Sequence, residues 1–129
     1  MYTLDAATGA WVWNGTLKAP VVKPYACCGD AVAVSGDLVA VSCIGDSSNS
    51  TAVDVGEEMT GAPYTGAVHT WRLSGLNASQ SVREGYLKAR SETPTAILGT
   101  TVAVAANATH EVVAAAASFS RSGAPYTDA

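Results

Sequence analysis

The sequence predicts an all-β protein made of beta-propeller blades of four antiparallel strands, one complete blade flanked by two half-blades. Three observations carry that expectation. Residues 28–43, CGDAVAVSGDLVAVSC, hold two short β-branched runs, Ala31–Ser35 and Leu38–Ser42, on either side of a Ser-Gly-Asp turn. A thinner hairpin recurs at 98–113, and Gly15–Ala19 and Gly29–Val34 match Gly85–Ala89 and Gly99–Val104 at one offset of 70. Finally, GAPYTDA written before MYTL aligns without a gap on GAPYTGAVHTW at 61–71, so the two ends fall in matching phase. The expected units are 1–20, the second half of a blade (strands three and four); 21–90, a complete blade; and 91–129, the first half of a blade (strands one and two). The phase suits a stretch of a longer propeller or a protomer completed head to tail by its neighbour.

Taken in order, Met1–Leu4 and Trp11–Lys18 read as strands joined by the Asp5–Gly9 turn, with Trp11 and Trp13 on one face by period-two alternation. Pro20 and Pro24 open a connector before the central hairpin. Residues 44–66 are polar and rich in Gly, Ser and Thr, a loop whose length points to function or mobility. Ala67–Leu73 and Val82–Lys88 are the next strands, joined by a turn containing Ser74-Gly75. Thr101–Ala105 and Glu111–Ala116 are the last. A helix is the alternative for Val112–Ala117, because alanine is the best helix former, but Ser118–Gly123 offers it no continuation.

The chain has 129 residues, room for one modest core, and only one Phe, so that core must come from close packing of small side chains. A net charge of -4 with seven basic residues and no basic stripe argues against nucleic acid. No membrane span is expected, since the longest apolar run, Val112–Ala117, is far too short.

Met1–Asp5 shows no basic start and no apolar stretch follows, so no signal peptide is visible. The asparagines point the other way: Asn14, Asn49, Asn77 and Asn107 each head an N-x-S/T sequon. They predict an extracellular or cell-surface glycoprotein, a mature piece whose leader is missing. Cys28 and Cys43 face each other across the expected hairpin, a candidate disulfide in a secreted chain, with Cys27 left over. Three buried thiols are the alternative. Cys27-Cys28 lacks metal-ligand spacing and neither histidine is near it, so no metal site is expected there.

The order C-G-D-A-V-A-V-S-G-D-L-V-A-V-S, a loop, G-A-V-H-T-W, then a strand ending Y-L-K-A resembles the FG-GAP repeat of integrin-alpha-like propellers. The family's Phe-Gly falls on Cys28-Gly29 and Leu98-Gly99, and its Gly-x-Val-Tyr-Val-Phe strand on Gly66–Trp71; its Gly-Ala-Pro wording is lost. The resemblance implies an extracellular structural, adhesion or assembly module that makes protein–protein contacts through strand edges and loops. Its partners would be other propeller blades of a longer chain or neighbouring copies of the same chain. Calcium does not carry over, because Ser35-Gly36-Asp37 and Ala106–His110 lack the carboxylates that calcium needs. The remaining acidic stretch, Asp46–Asp54 with Glu57 and Glu58, reads as a solvated loop, with a cation site as the sharper alternative.

No catalytic constellation stands out. His69 reads as a structural histidine and His110 as an exposed turn residue; no G-x-S-x-G elbow occurs, and no phosphate-cradling loop or cofactor is expected. Trp11 or Trp13, with Trp71, should fill the space between blades. Tyr64 and Tyr126 follow Pro63 and Pro125 in equivalent loops, and a glycan-binding module using these Pro-Tyr-Thr loops is the alternative function.

Overall fold

A computed structural model of the chain describes residues 1–75, 77–90 and 96–118. Eight strands follow one another: β1 (Tyr2–Leu4), β2 (Trp11–Trp13), β3 (Cys28–Ser35), β4 (Leu38–Cys43), β5 (Ala67–Ser74), β6 (Asn77–Leu87), β7 (Leu98–Ala106) and β8 (Glu111–Ala117). The all-β class holds, and Val112–Ala117 is strand rather than helix. β1–β2 and β7–β8 are separate two-stranded sheets, and β3-β4-β5-β6 is a four-stranded antiparallel meander.

The propeller is overturned. Among the described residues the three sheets are open and uncurled and are not arranged radially around an axis. Eight strands in groups of two, four and two cannot enclose a channel, which takes four or more four-stranded blades. The FG-GAP resemblance loses its architectural ground with it. So do the adhesion or assembly role and the partners inferred from blade edges, whether blades of a longer chain or neighbouring copies. What recurs in the sequence is hairpin chemistry, short runs of valine alternating with alanine, and not a closed ring.

Register explains why those runs alternate. Ala33 pairs with Ala40, Ala40 with Thr70 and Ser42 with Val68, which sets the small side chains of the meander on one face. The β7–β8 hairpin lies on that face, where Ala31, Ala33, Ala40, Val68 and Leu87 meet Val102, Val104, Val113 and Ala115. Small side chains let the two sheets approach closely, giving a dense core from little volume. The hairpin is pinned at both ends. Leu98 bridges Gly66 in parallel and donates its N–H to Thr65 O at 2.9 Å. At the far end Ala106 N donates to Ser35 Oγ at 3.1 Å, and Arg72 pairs with Glu111 on β8, Glu84 on β6 and Asp37 in the β3–β4 turn.

The opposite face carries the large side chains: Val32, Val34, Val39, Val41, His69, Trp71 and Tyr86. The 44–66 loop closes over His69 and Tyr86. Residues 16–27 and the β1–β2 hairpin lie over the valines, and the hairpin is anchored where Asn14 O accepts the N–H and the hydroxyl of Ser79. Two strands differ from the expectation. β2 stops at Trp13 rather than Lys18, where Asn14 turns to Ser79, and β6 starts at Asn77 rather than Val82, where Asn77 pairs with Ser74. Trp71 is buried as expected, but Trp11 and Trp13 are 69% and 59% exposed and fill no space between sheets.

Candidate functional site

Two features of the large-side-chain face could carry chemistry: a buried polar cluster beneath the 44–66 loop and an apolar groove beside it.

Asp46 is the centre of the cluster. Its Oδ2 accepts from Lys23 Nζ at 3.0 Å, and its Oδ1 accepts from Ser48 N at 2.9 Å, Tyr86 OH at 2.9 Å and Lys88 Nζ at 3.2 Å. Lys88 Nζ also donates to Thr65 Oγ1 and Gly66 O, and Thr65 Oγ1 donates back to the loop at Ser48 O. The side chains of Lys23, Asp46 and Lys88 are 5%, 5% and 2% exposed, so two ammonium groups and one carboxylate share a nearly dry site. Burial pushes the Asp46 carboxyl up, but the Ser48 N–H and the two lysines outweigh it and hold the group below the ordinary carboxylate value. Burial pulls Lys88 down against the attraction of Asp46, and raises the Tyr86 hydroxyl well above its usual range.

A second set lies alongside. Glu57 Oε2 pairs with Arg83 Nη2 at 2.9 Å, while Glu57 Oε1 stands 3.8 Å from His69 Nδ1, beyond hydrogen-bond reach. Glu57 Oε1, His69 Nδ1 and Arg83 Nη1 are all buried without a hydrogen-bond partner. Burial, reinforced by Arg83, pushes His69 down to about 4, so its ring is neutral at physiological pH. Its ring centroid lies 5.6 Å from that of Trp71 and 5.1 Å from that of Tyr86.

This arrangement is a closed ionic core. The acidic stretch expected to be solvated is instead its keystone, with Asp46 3% and Glu57 9% exposed. Nor do its carboxylates converge for a cation: Asp46 is saturated by lysines, Asp54 Oδ1 accepts from Tyr86 N, and Glu58 is exposed. Among the described residues no three His, Cys, Asp or Glu side chains gather in a metal-binding geometry. Sequence reasoning missed Tyr86 and Lys88. The available signal was their spacing, since positions two apart on a strand share a face.

The groove runs between the β1–β2 hairpin and the meander. It measures about 550 Å³ and is walled by Tyr2, Leu17, Val32, Val34, Val41 and Leu73, with the hydroxyls of Thr3 and Thr16 at its rim. No Asp, Glu, Lys, Arg or His side chain lines it. A neighbouring hollow of about 370 Å³, floored by Trp71 and bordered by Cys27, shares Leu17 and Val41 with it.

The expected site residues are scattered. Cys28 and Cys43 form a disulfide across the β3–β4 ladder, and Cys27 is free and exposed. Asn107 is exposed in the β7–β8 turn, its Oδ1 accepting the N–H groups of Thr109 and His110. Asn14, Asn49 and Asn77 are half-buried. Pro63 is exposed and Tyr64 is 48% exposed, but Tyr64 lines neither hollow, while Pro125 and Tyr126 lie outside the described residues. The paired Pro-Tyr-Thr glycan platform is therefore withdrawn. No family model, curated protein or solved structure matches the chain, so the FG-GAP assignment has no independent support either.

Proposed function

We propose that this chain is a non-catalytic binding module that works outside the cytosol and takes an uncharged, largely apolar small molecule into the groove beneath the β1–β2 hairpin. The groove itself carries the reading: its volume suits a small organic ligand, its walls are aliphatic and aromatic, and its polar groups are a few hydroxyls that can orient a guest. The lining holds no Asp, Glu, Lys, Arg or His side chain, and the Met1 ammonium is engaged by Gly15 O at 2.6 Å, so a charged ligand would find little there to repay its desolvation. A non-catalytic role is supported by the polar cluster, whose charged groups are paired with one another away from solvent. An oxidising compartment is supported by the Cys28–Cys43 disulfide together with the four sequons.

The test is titration with an uncharged solvatochromic dye. Saturable binding with a blue-shifted emission is expected, weakened at least tenfold by Val32→Lys combined with Val34→Lys. Both side chains are more than half exposed, so the double variant should keep its fold and its unfolding midpoint. Failure to saturate, or equal binding by the variant, would sink the proposal. Peptide mapping with and without a glycosidase addresses the compartment: glycan at Asn107, the most open of the four sequons, is the expected result.

A further inference from the structure

We propose that the 44–66 loop is an acid-released cover, held shut over His69 at neutral pH and loosened by protonation of that ring in mildly acidic surroundings. The geometry points to it before any titration is considered. Three carboxylates fasten the loop along its length. Asp46 binds Lys23 and Lys88, Asp54 Oδ1 accepts from Tyr86 N while its own N–H donates to Tyr86 O, and Glu57 holds Arg83. Beneath them sits a histidine with 1% exposure whose Nδ1 has no partner and whose neighbouring carboxylate oxygen is equally unpaired.

The charged and titratable groups around His69 come from every element packed on it. Asp46 and Glu57 come from the loop, Arg83, Tyr86 and Lys88 from β6 and its C-terminal extension, and Lys23 from the connector. A proton on the closed ring meets three cations in a buried site; Asp46 is committed to the lysines, and Glu57, held by Arg83 through Oε2, keeps its free Oε1 3.8 Å from Nδ1, too far to accept from it unless the loop moves. Once the loop lifts, water reaches the ring and it takes a proton from solvent at the ordinary histidine value. The loop cannot then close without stripping that proton or burying a charge. With the ring at about 4 when covered and 6.5 when open, lowering the pH to 5 raises the open population roughly 30-fold.

Hydrogen exchange at single amides decides it, with rates corrected for the chemical pH dependence. The N–H groups of Asp54 and Ala62 report the loop, because their acceptors, Tyr86 O and Ser47 O, are lost or shifted on opening. The amides of Val39 and Val41 in β4 report the whole fold. Between pH 7.4 and 5.0, protection at Asp54 and Ala62 should fall roughly 30-fold and stay independent of low urea concentrations, while β4, which exchanges only through global unfolding, should exchange far more slowly at each pH and respond steeply to urea. His69→Gln and His69→Phe should each abolish most of that fall. Unchanged loop protection, loop amides that exchange only as fast and with the same urea dependence as β4, or the full effect surviving in the variants would each overturn the proposal. An NMR titration of the wild-type ring decides independently of whether the variants fold: a His69 ring that charges near pH 6.5 without loop opening ends the idea.

Discussion

Asp46 shows how one buried side chain fixes a long loop. A 23-residue connection without strands would ordinarily wander, yet here its first turn is nailed to two lysines and a tyrosine that arrive from elements far apart in the chain. Removing the carboxylate leaves two ammonium groups in a dry site with no counter-charge, and that penalty exceeds what the pairs contribute when intact. Asp46→Ala should therefore destabilise the chain by about 3–5 kcal/mol in urea unfolding. Lys88→Met in the same background should recover part of the loss, since it removes one stranded charge. His69 sets a second expectation at this scale. Its folded value is depressed to about 4, so the unfolded chain binds the proton more readily. The stability His69 confers is complete above pH 6.5 and is lost as the pH falls from 6.5 to 4, by about 3 kcal/mol. Asp46, itself depressed, adds its loss only at lower pH. Urea midpoints measured from pH 7 to pH 4 should show this slope, and His69→Gln should flatten it.

Among the elements, the β3–β4 hairpin was the most legible and the best secured. Val and Ala in alternation around Ser35-Gly36-Asp37-Leu38 encode both the turn and the two faces, and a register shift between Cys28 and Val32 then brings Cys28 opposite Cys43. The disulfide closes a loop of 15 residues, so Cys28→Ala with Cys43→Ala should cost about 3 kcal/mol, read as a lower unfolding midpoint that reducing agent does not lower further. Strand existence was readable because period two is a local property. Strand length was not. β2 ends, and β6 gains its early N-terminal residues, where Asn14 and Ser79 find each other across the molecule, and no local pattern announces a contact between residues so far apart. The polar cluster was hidden for the same reason. Tyr86 and Lys88 share a face in the sequence, but that Asp46 would be the group they meet depends on where the loop folds back.

At the scale of the whole molecule, the repeated wording had a packing cause rather than an architectural one. Alternate alanines in β3 and β4, and the valine–alanine pattern of β7, make two thin faces that can lie against each other, and such faces do not require a ring of blades. Which sheets stack, and how many, is decided by partners that alternation does not name. A matched pair of glycines tests how tightly the stacked sheets are fitted. Gly29 in β3 and Gly99 in β7 occupy equivalent places in their hairpins and have the same φ of +99°, so replacing either by alanine imposes the same backbone strain. Their surroundings differ. A Cβ on Gly29 meets nothing within 4 Å, whereas one on Gly99 falls 2.6 Å from Ser42 Cβ on the meander. Gly29→Ala should thus report strain alone, about 1–3 kcal/mol. Gly99→Ala should cost that amount plus about 1–3 kcal/mol for forcing two sheets apart. The excess should appear as faster amide exchange in β7 and β8, with β5 and β6 unaffected. Equal losses in the two variants would mean that the sheets touch loosely and that the β7–β8 hairpin is held by its pinned ends, at Leu98 and Arg72, rather than by its face.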